Sequence, residues 1–420
     1  MKKRKLFGSL ISEKNNNKIS IILGARQVGK TTILNELYQN LINDNNGIYL
    51  DLDILSNYEK VSTYENLVNT LKLIGYKENQ TEIFYLFLDE FQKYREFSKI
   101  LKNVFDHHKN IKIYATGSSS VKIKDEIQES LAGRKIIHNL FPLDFEEFII
   151  FKDNHDALQQ LKNVDKLKGN ELHIPLLQSL LQEFMVFGGY PEVVLSENKK
   201  TKIEVFESIF DLYVKKDLVE YLNINKILNV KRLIEILAIN HSQKIKFEEI
   251  ANVCALKEYE VKNYIEILKE TFLISEVRPY FTNKNKELVK IPKIYFIDNG
   301  VRNFFMNQFG NIDNRQDSGF LFESYVLSEL AKHGCKNIKF WQDKNNHEVD
   351  FIIDKVHKQI PIEVKYKRKL KHEDFIGLRT FIRQYPQTEE MFLVNPALQN
   401  TQTIEKTTVS LKLPYNLDLC

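Results

Sequence analysis

Gly24-Ala25-Arg26-Gln27-Val28-Gly29-Lys30-Thr31 decides how the first third of the chain folds. Two glycines stand five apart and are followed by a lysine and a hydroxyl residue, the pattern of a phosphate-binding loop. An apolar run at residues 19–23 precedes it and a helical pattern at 32–42 follows it, so the loop joins a strand to a helix. The chemistry needs these residue types. Gly24 and Gly29 let the backbone turn its N–H groups around phosphate oxygens. Lys30 reaches the β- and γ-phosphates, and the Thr31 hydroxyl is a magnesium ligand. Ala25, Arg26, Gln27 and Val28 supply the rest of the cradle. Thr32 stands in the first turn of the helix, whose N-terminus adds partial positive charge.

A partner motif follows at Phe84-Tyr85-Leu86-Phe87-Leu88-Asp89-Glu90. A buried strand delivers Asp89 to the magnesium shell, and Glu90 polarises the attacking water. Ser118, in Thr116-Gly117-Ser118-Ser119, ends the apolar run 111–115 and is placed to touch the γ-phosphate or orient the water; a polar turn is the plainer alternative. Arg134 follows Ser130-Leu131-Ala132-Gly133 and could act in trans as a finger on a neighbouring subunit's nucleotide. A surface arginine serves equally well there.

Outward from the loop, apolar runs at 19–23, 48–52, 84–88 and 111–115 alternate with helical patterns, which predicts a parallel α/β sheet. The 420 residues allow two to four domains of ordinary size. With 43% hydrophobic and 28% charged residues, disorder, a collagen repeat and a small disulfide scaffold are excluded. A net charge of +4 neither demands nor excludes nucleic acid, so local charge must decide. Three scattered cysteines make no metal or disulfide pattern. No uncharged apolar run reaches membrane-spanning length. A cytoplasmic chain without a membrane anchor is expected.

Four segments emerge: an α/β domain at 1–150, a helical linker or lid at 151–227, a winged-helix-like domain at 228–292 and a second α/β domain at 293–420. The third has helical patterns at 230–241, 247–254 and 258–270, then a hairpin from strands at 273–280 and 288–293. The helix 258–270 could enter a DNA groove, but its mixed charges suit a protein-binding module as well.

The last segment holds the second chemical signal. Glu348-Val349-Asp350 opens one strand, and Ile362-Glu363-Val364-Lys365 lies on the next. Side chains alternate along a strand, so Glu363 and Lys365 share a face. Carboxylates of Asp350 and Glu363 on neighbouring strands can hold a second Mg²⁺ or Mn²⁺, with Glu323 completing the shell. Lys365 then steers a water or stabilises a pentavalent phosphate. This is the PD-(D/E)XK nuclease layout in loose form; a surface strand with ion pairs is the alternative. Lys365, Lys367, Arg368, Lys369 and Lys371 form a basic run suited to phosphates or to solvent.

These residues together resemble the bacterial and archaeal AAA+ ATPases of the AAA_14 type with a C-terminal DUF4143 domain. The likeness also runs through Phe141-Pro142-Leu143, Glu147-Phe148, Gly188-Gly189-Tyr190-Pro191-Glu192, residues 295–300 and residues 319–323. It implies a P-loop AAA-type parallel sheet, a winged-helix middle, a restriction-endonuclease-like end and Mg-ATP binding. Ala25 stands where the family often has proline, in a position without chemistry of its own. The expectation is therefore an ATP-hydrolysing enzyme acting on DNA, with catalytic Lys30, Glu90 and Arg134 and a nuclease-like trio of Asp350, Glu363 and Lys365. The rival is a nucleotide-dependent adaptor that binds protein or DNA without cutting. A homo-oligomer is compatible with either.

Overall fold

The computed structural model describes residues 2–43, 46–94, 97–118, 129–169, 172–214, 218, 226–283, 285, 287, 290–355, 358–405, 407–417 and 419. The chain divides into two compact units, Met1–Pro142 with Glu270–Phe272, and Leu143–Lys269 with Leu273–Cys420.

The first unit is built on five parallel strands: β1 (Ile19–Gly24), β2 (Gly47–Asp51), β3 (Phe84–Asp89), β4 (Ile111–Ser118) and β5 (Lys135–Leu140), in the order β2-β3-β4-β1-β5. β1, β3 and β4 are buried along their whole length, which is why they read as unbroken apolar runs. Helices α1 (Lys5–Ser12), α2 (Lys30–Leu41), α3 (Leu55–Glu59), α4 (Tyr64–Leu73) and α5 (Phe97–His107) complete the unit. α2 buries Ile33, Leu34 and Leu37, one stripe at helical spacing. Sheet order matters for function. β4 lies between β1 and β3, with Gly24 opposite Ser118 and Leu88 opposite Ala115. The carboxyl ends of all three strands therefore meet at one edge. The four expected strands form; β5 is an addition. Only Leu140 of its six residues is buried, and lysine, histidine and asparagine interrupt its apolar residues, so it carries no apolar run.

The second unit starts helical, with Pro175–Phe187 and Lys199–Leu212 its longest early helices. Helices Ile227–Ile239, Phe247–Cys254 and Glu258–Glu270 lie where the three helical patterns put them. The hairpin differs from expectation. β6 (Ile274–Pro279) pairs antiparallel with β7 (Lys293–Phe296); of the second strand expected at 288–293, residues 288 and 289 lie outside the described residues. β6 also runs parallel to β8 (Ile338–Gln342), so the hairpin is the edge of a larger sheet. That sheet continues through β9 (Glu348–Asp354), β10 (Gln359–Val364), β11 (Glu390–Val394), β12 (Thr401–Ile404) and β13 (Thr407–Lys412), ordered β12-β13-β11-β10-β9-β8-β6-β7. Ile376–Gln384 packs Leu378, Phe381 and Ile382 on this sheet, against Trp341, Ile352 and Leu393. Ser318–Lys332 buries Leu321, Phe322, Tyr325, Val326 and Leu330 within the same unit. No helix among the described residues is long and apolar enough to cross a membrane.

Candidate functional site

The residues 24–31 close the end of β1 as a tight loop. Gly24 is required by contact: a Cβ there would lie 2.3 Å from the carbonyl oxygen of Leu140. Gly29 is required by conformation, since its φ of +98° lies in the region side chains disfavour. Gln27 also has positive φ, 58°, and its Oε1 is buried without a hydrogen-bond partner. The Lys30 ammonium donates to the carbonyls of Gly24 (3.1 Å) and Ala25 (2.8 Å). It thus spans the loop from inside, where a phosphate would draw it outward. Thr31 and Thr32 are exposed in the first turn of α2.

Asp89 ends β3, 2% exposed. One carboxylate oxygen accepts from the Tyr49 hydroxyl at 2.9 Å and the other from the Thr116 hydroxyl. Burial and the Asp89 charge push the Tyr49 phenol well above its ordinary range, so it stays a donor. Glu90 has positive φ, 53°, which turns it out of the strand direction. Its carboxylate accepts from the Gln92 amide, which also donates to Ser118 Oγ at 3.0 Å. Tyr49 and Gln92 were not singled out in the sequence. Tyr49 is legible only once β2 is known to lie beside β3, and Gln92 only once β4 is. Oxygen donors on Thr31 and Asp89 suit a hard cation such as Mg²⁺. Magnesium bound with nucleotide would supply charge neutralisation at the phosphates.

Arg134 makes a paired contact with Asp106, 2.8 Å through Nε and 3.1 Å through Nη2, and Nη1 donates to Ala132. A finger role in trans requires it to leave that ion pair.

In the second unit Asp350 and Lys365 of the trio expected from sequence line one pocket of about 720 Å³, and Glu363 lies buried beside it, in contact with Lys365. The β9–β10 ladder runs to Ile362 opposite Phe351. Beyond it the Val364 amide donates to the Asp350 carboxylate at 2.8 Å. Lys365 contacts Glu363 and lies 3.8 Å from Asp350. Burial first, then the Asp350 charge, raises the Glu363 carboxyl well above the usual carboxylate range. Its Oε2 is buried without a hydrogen-bond partner.

Glu323 is placed differently from expectation. Its Oε1 accepts from the Tyr295 hydroxyl and lies 3.4 Å from the Lys293 ammonium. Lys293 also pairs with Glu348. Glu323 thus lines the pocket beside Asp350 with one oxygen engaged by a lysine and a tyrosine. Among the described residues no group of three His, Cys, Asp or Glu side chains is arranged to hold a metal ion. Asp350 and Glu363 have the chemistry to hold one, while Glu323 Oε1 is taken by Tyr295 and Lys293. Lys293 and Glu348 are site residues that the sequence did not single out. Glu348 stands two positions before Asp350 on β9, so strand alternation alone could have found it.

Comparison with known proteins follows the same division. Residues 16–149 match the AAA domain AAA_14, and residues 318–415 match the domain of unknown function DUF4143. Residues 178–311 match another domain of unknown function, DUF8612. An uncharacterized protein of Methanocaldococcus jannaschii, MJ1544, is 30% identical over 361 residues, which cover 84% of this chain and 75% of the relative. The chain belongs to this family of AAA-domain proteins with a C-terminal DUF4143 domain. An uncharacterized Haemophilus influenzae protein is 26% identical over 370 residues, covering 85% of each. The Walker-type ATPase PABY2304 of Pyrococcus abyssi is similar over 73% of this chain and 96% of its own, at 16% identity and a TM-score of 0.48. The first unit has the AAA-type P-loop fold.

Proposed function

We propose that the chain binds and hydrolyses Mg-ATP at the carboxyl edge of its parallel sheet and uses the cycle to act on DNA. The observation that carries the ATPase reading is the convergence of Lys30, Asp89, Glu90 and Ser118 at the ends of three adjacent strands. In this reading Lys30 leaves the Gly24 and Ala25 carbonyls for the phosphates. Thr31 and Asp89 hold magnesium. Glu90, released from Gln92, orients the attacking water, and Ser118 stands by the γ-phosphate.

The DNA reading rests on the second pocket. Lys244, Lys293, Lys365 and Lys367 line it together with Glu323, Glu348 and Asp350. Such a pocket suits a phosphodiester beside one divalent cation on Asp350 and Glu363, with Lys365 stabilising charge at phosphorus. Arg134 as a finger, a second metal and a self-assembled oligomer belong to this same reading. The test is DNA binding at low salt and ATP turnover with and without DNA. Turnover indifferent to DNA, together with no DNA binding, overturns it.

A second reading has an observation of its own. Each carboxylate lining the pocket already lies against a lysine, Glu323 and Glu348 against Lys293 and Asp350 against Lys365, and the buried Glu363 contacts Lys365 as well. A self-neutralised pocket suits an adaptor that binds DNA or protein without cutting. Unchanged Mn²⁺ binding in Asp350→Asn would favour it.

A further inference from the structure

We propose that Arg4 is a positioning residue of the phosphate loop, fixing the Val28–Gly29 peptide so that the Gly29 N–H faces bound phosphate. The proposal rests on reading residues 24–31 as the nucleotide cradle. Arg4 lies twenty residues before the loop and is 8% exposed. Its Nη1 donates to the Val28 carbonyl at 2.7 Å, in buried surroundings, and its Nη2 to the Phe141 carbonyl at 2.8 Å. One guanidinium thus ties the loop to the segment that follows β5.

The consequence follows from peptide geometry. No described peptide bond is cis, and a trans unit points its C=O and the following N–H in opposite directions. A Val28 carbonyl drawn to Arg4 therefore turns the Gly29 N–H to the other side, the side open to phosphate. Glycine makes this peptide easy to flip, because Gly29 can adopt either sign of φ. A flip would replace a donor by an acceptor where an anion must bind. Arg4 opposes it with a charge-assisted hydrogen bond.

The loop's carbonyls are shared between two cations with different roles. Lys30 takes Gly24 and Ala25 and must release them when phosphate arrives. Arg4 takes Val28 from behind and has no reason to leave. Its seat is fixed. The Arg4 carbonyl accepts from the Phe7 amide at 3.0 Å, opening α1. The Leu10 carbonyl of α1 accepts from the Tyr114 hydroxyl of β4 at 2.9 Å, and Leu10 is fully buried. A lysine at position 4 would keep the charge but lack the planar fork that reaches two carbonyls.

The test titrates the nucleotide-free full chain with a fluorescent ATP analogue and Mg²⁺, and measures kcat and Tm for each variant. Arg4→Ala is expected to raise Kd about tenfold, the worth of one such hydrogen bond. Arg4→Lys recovers part of that loss, and kcat at saturating ATP stays near wild type. Leu10→Ala serves as the control that loosens α1 without touching the loop. It is expected to lower Tm at least as much as Arg4→Ala while leaving Kd near wild type. Unchanged Kd in Arg4→Ala overturns the proposal. So does an equal loss of affinity in Leu10→Ala, which would make Arg4 merely a support for the helix. A wild-type chain that binds the analogue no better than Lys30→Ala refutes the cradle reading itself, and the proposal with it.

Discussion

At the scale of the residue, Asp89 sits between two hydroxyls, and both are donors. Tyr49 and Thr116 hold the buried carboxylate in one orientation and satisfy its oxygens. Removing one of these hydroxyls should loosen the metal more than the nucleotide. Tyr49→Phe is expected to weaken Mg²⁺-dependent ATP binding by about 3- to 10-fold, the range of one buried hydrogen bond. A Mg²⁺ titration at fixed nucleotide reads it, and an unchanged midpoint would contradict it. Glu90→Gln separates binding from chemistry. Nucleotide affinity should persist while turnover falls by about 10²- to 10⁴-fold, the usual contribution of a positioned base. Lys30, Asp89 and Glu90 were legible because their chemistry is local: a loop, a strand end and one residue beyond it. Tyr49 and Gln92 were not, because each reaches its partner across a strand pairing that no local pattern encodes, and Lys293 was not, because its partners Glu323 and Glu348 lie on other elements distant in sequence. Arg134 reads in sequence as a finger in trans or a surface arginine; what it faces here is Asp106, a residue in α5 that its own neighbourhood in sequence does not reveal.

At the scale of the element, β7 carries more of the second site than its four residues suggest. Lys293 enters the pocket, Tyr295 holds Glu323, and the Phe296 amide donates to His241 Nδ1 at 3.2 Å. His241 is almost wholly buried, and burial, aided by Arg302, lowers its pKa from the ordinary 6.5 to about 3. A folded-state pKa below the unfolded one means the stabilisation is complete above about pH 6.5. It is then lost as pH falls through about 3, because the unfolded chain takes up the proton first. His241→Phe removes the acceptor of the Phe296 amide and should cost about 1–3 kcal/mol at pH 7. It should also flatten the acid limb of stability between pH 6.5 and 3. Denaturant melts at several pH values check both effects; an acid limb as steep as wild type would contradict the assignment. The pairing was not legible in sequence: the hairpin was expected from strands at 273–280 and 288–293, and the ladder from β6 to Lys293–Phe296 is a long-range choice that no local pattern encodes.

At the scale of the whole molecule, a parallel sheet and a mixed sheet lie in separate compact units of one chain. Each presents charged side chains at the ends of adjacent strands, where neighbouring backbones bring residues distant in sequence together. The account therefore predicts that the two sites can be silenced one at a time. Lys30→Ala should abolish ATP turnover while leaving the second pocket intact, and Asp350→Ala should do the reverse. The decisive measurement is ATP hydrolysis and DNA cleavage on one purified preparation, with Mg²⁺ or Mn²⁺ and with linear, supercoiled and forked DNA, beside those two variants. The account predicts turnover stimulated by DNA and lost in Lys30→Ala, with cleavage lost in Asp350→Ala. Turnover that ignores DNA in every form, from a chain that neither binds nor cuts it, would contradict the account.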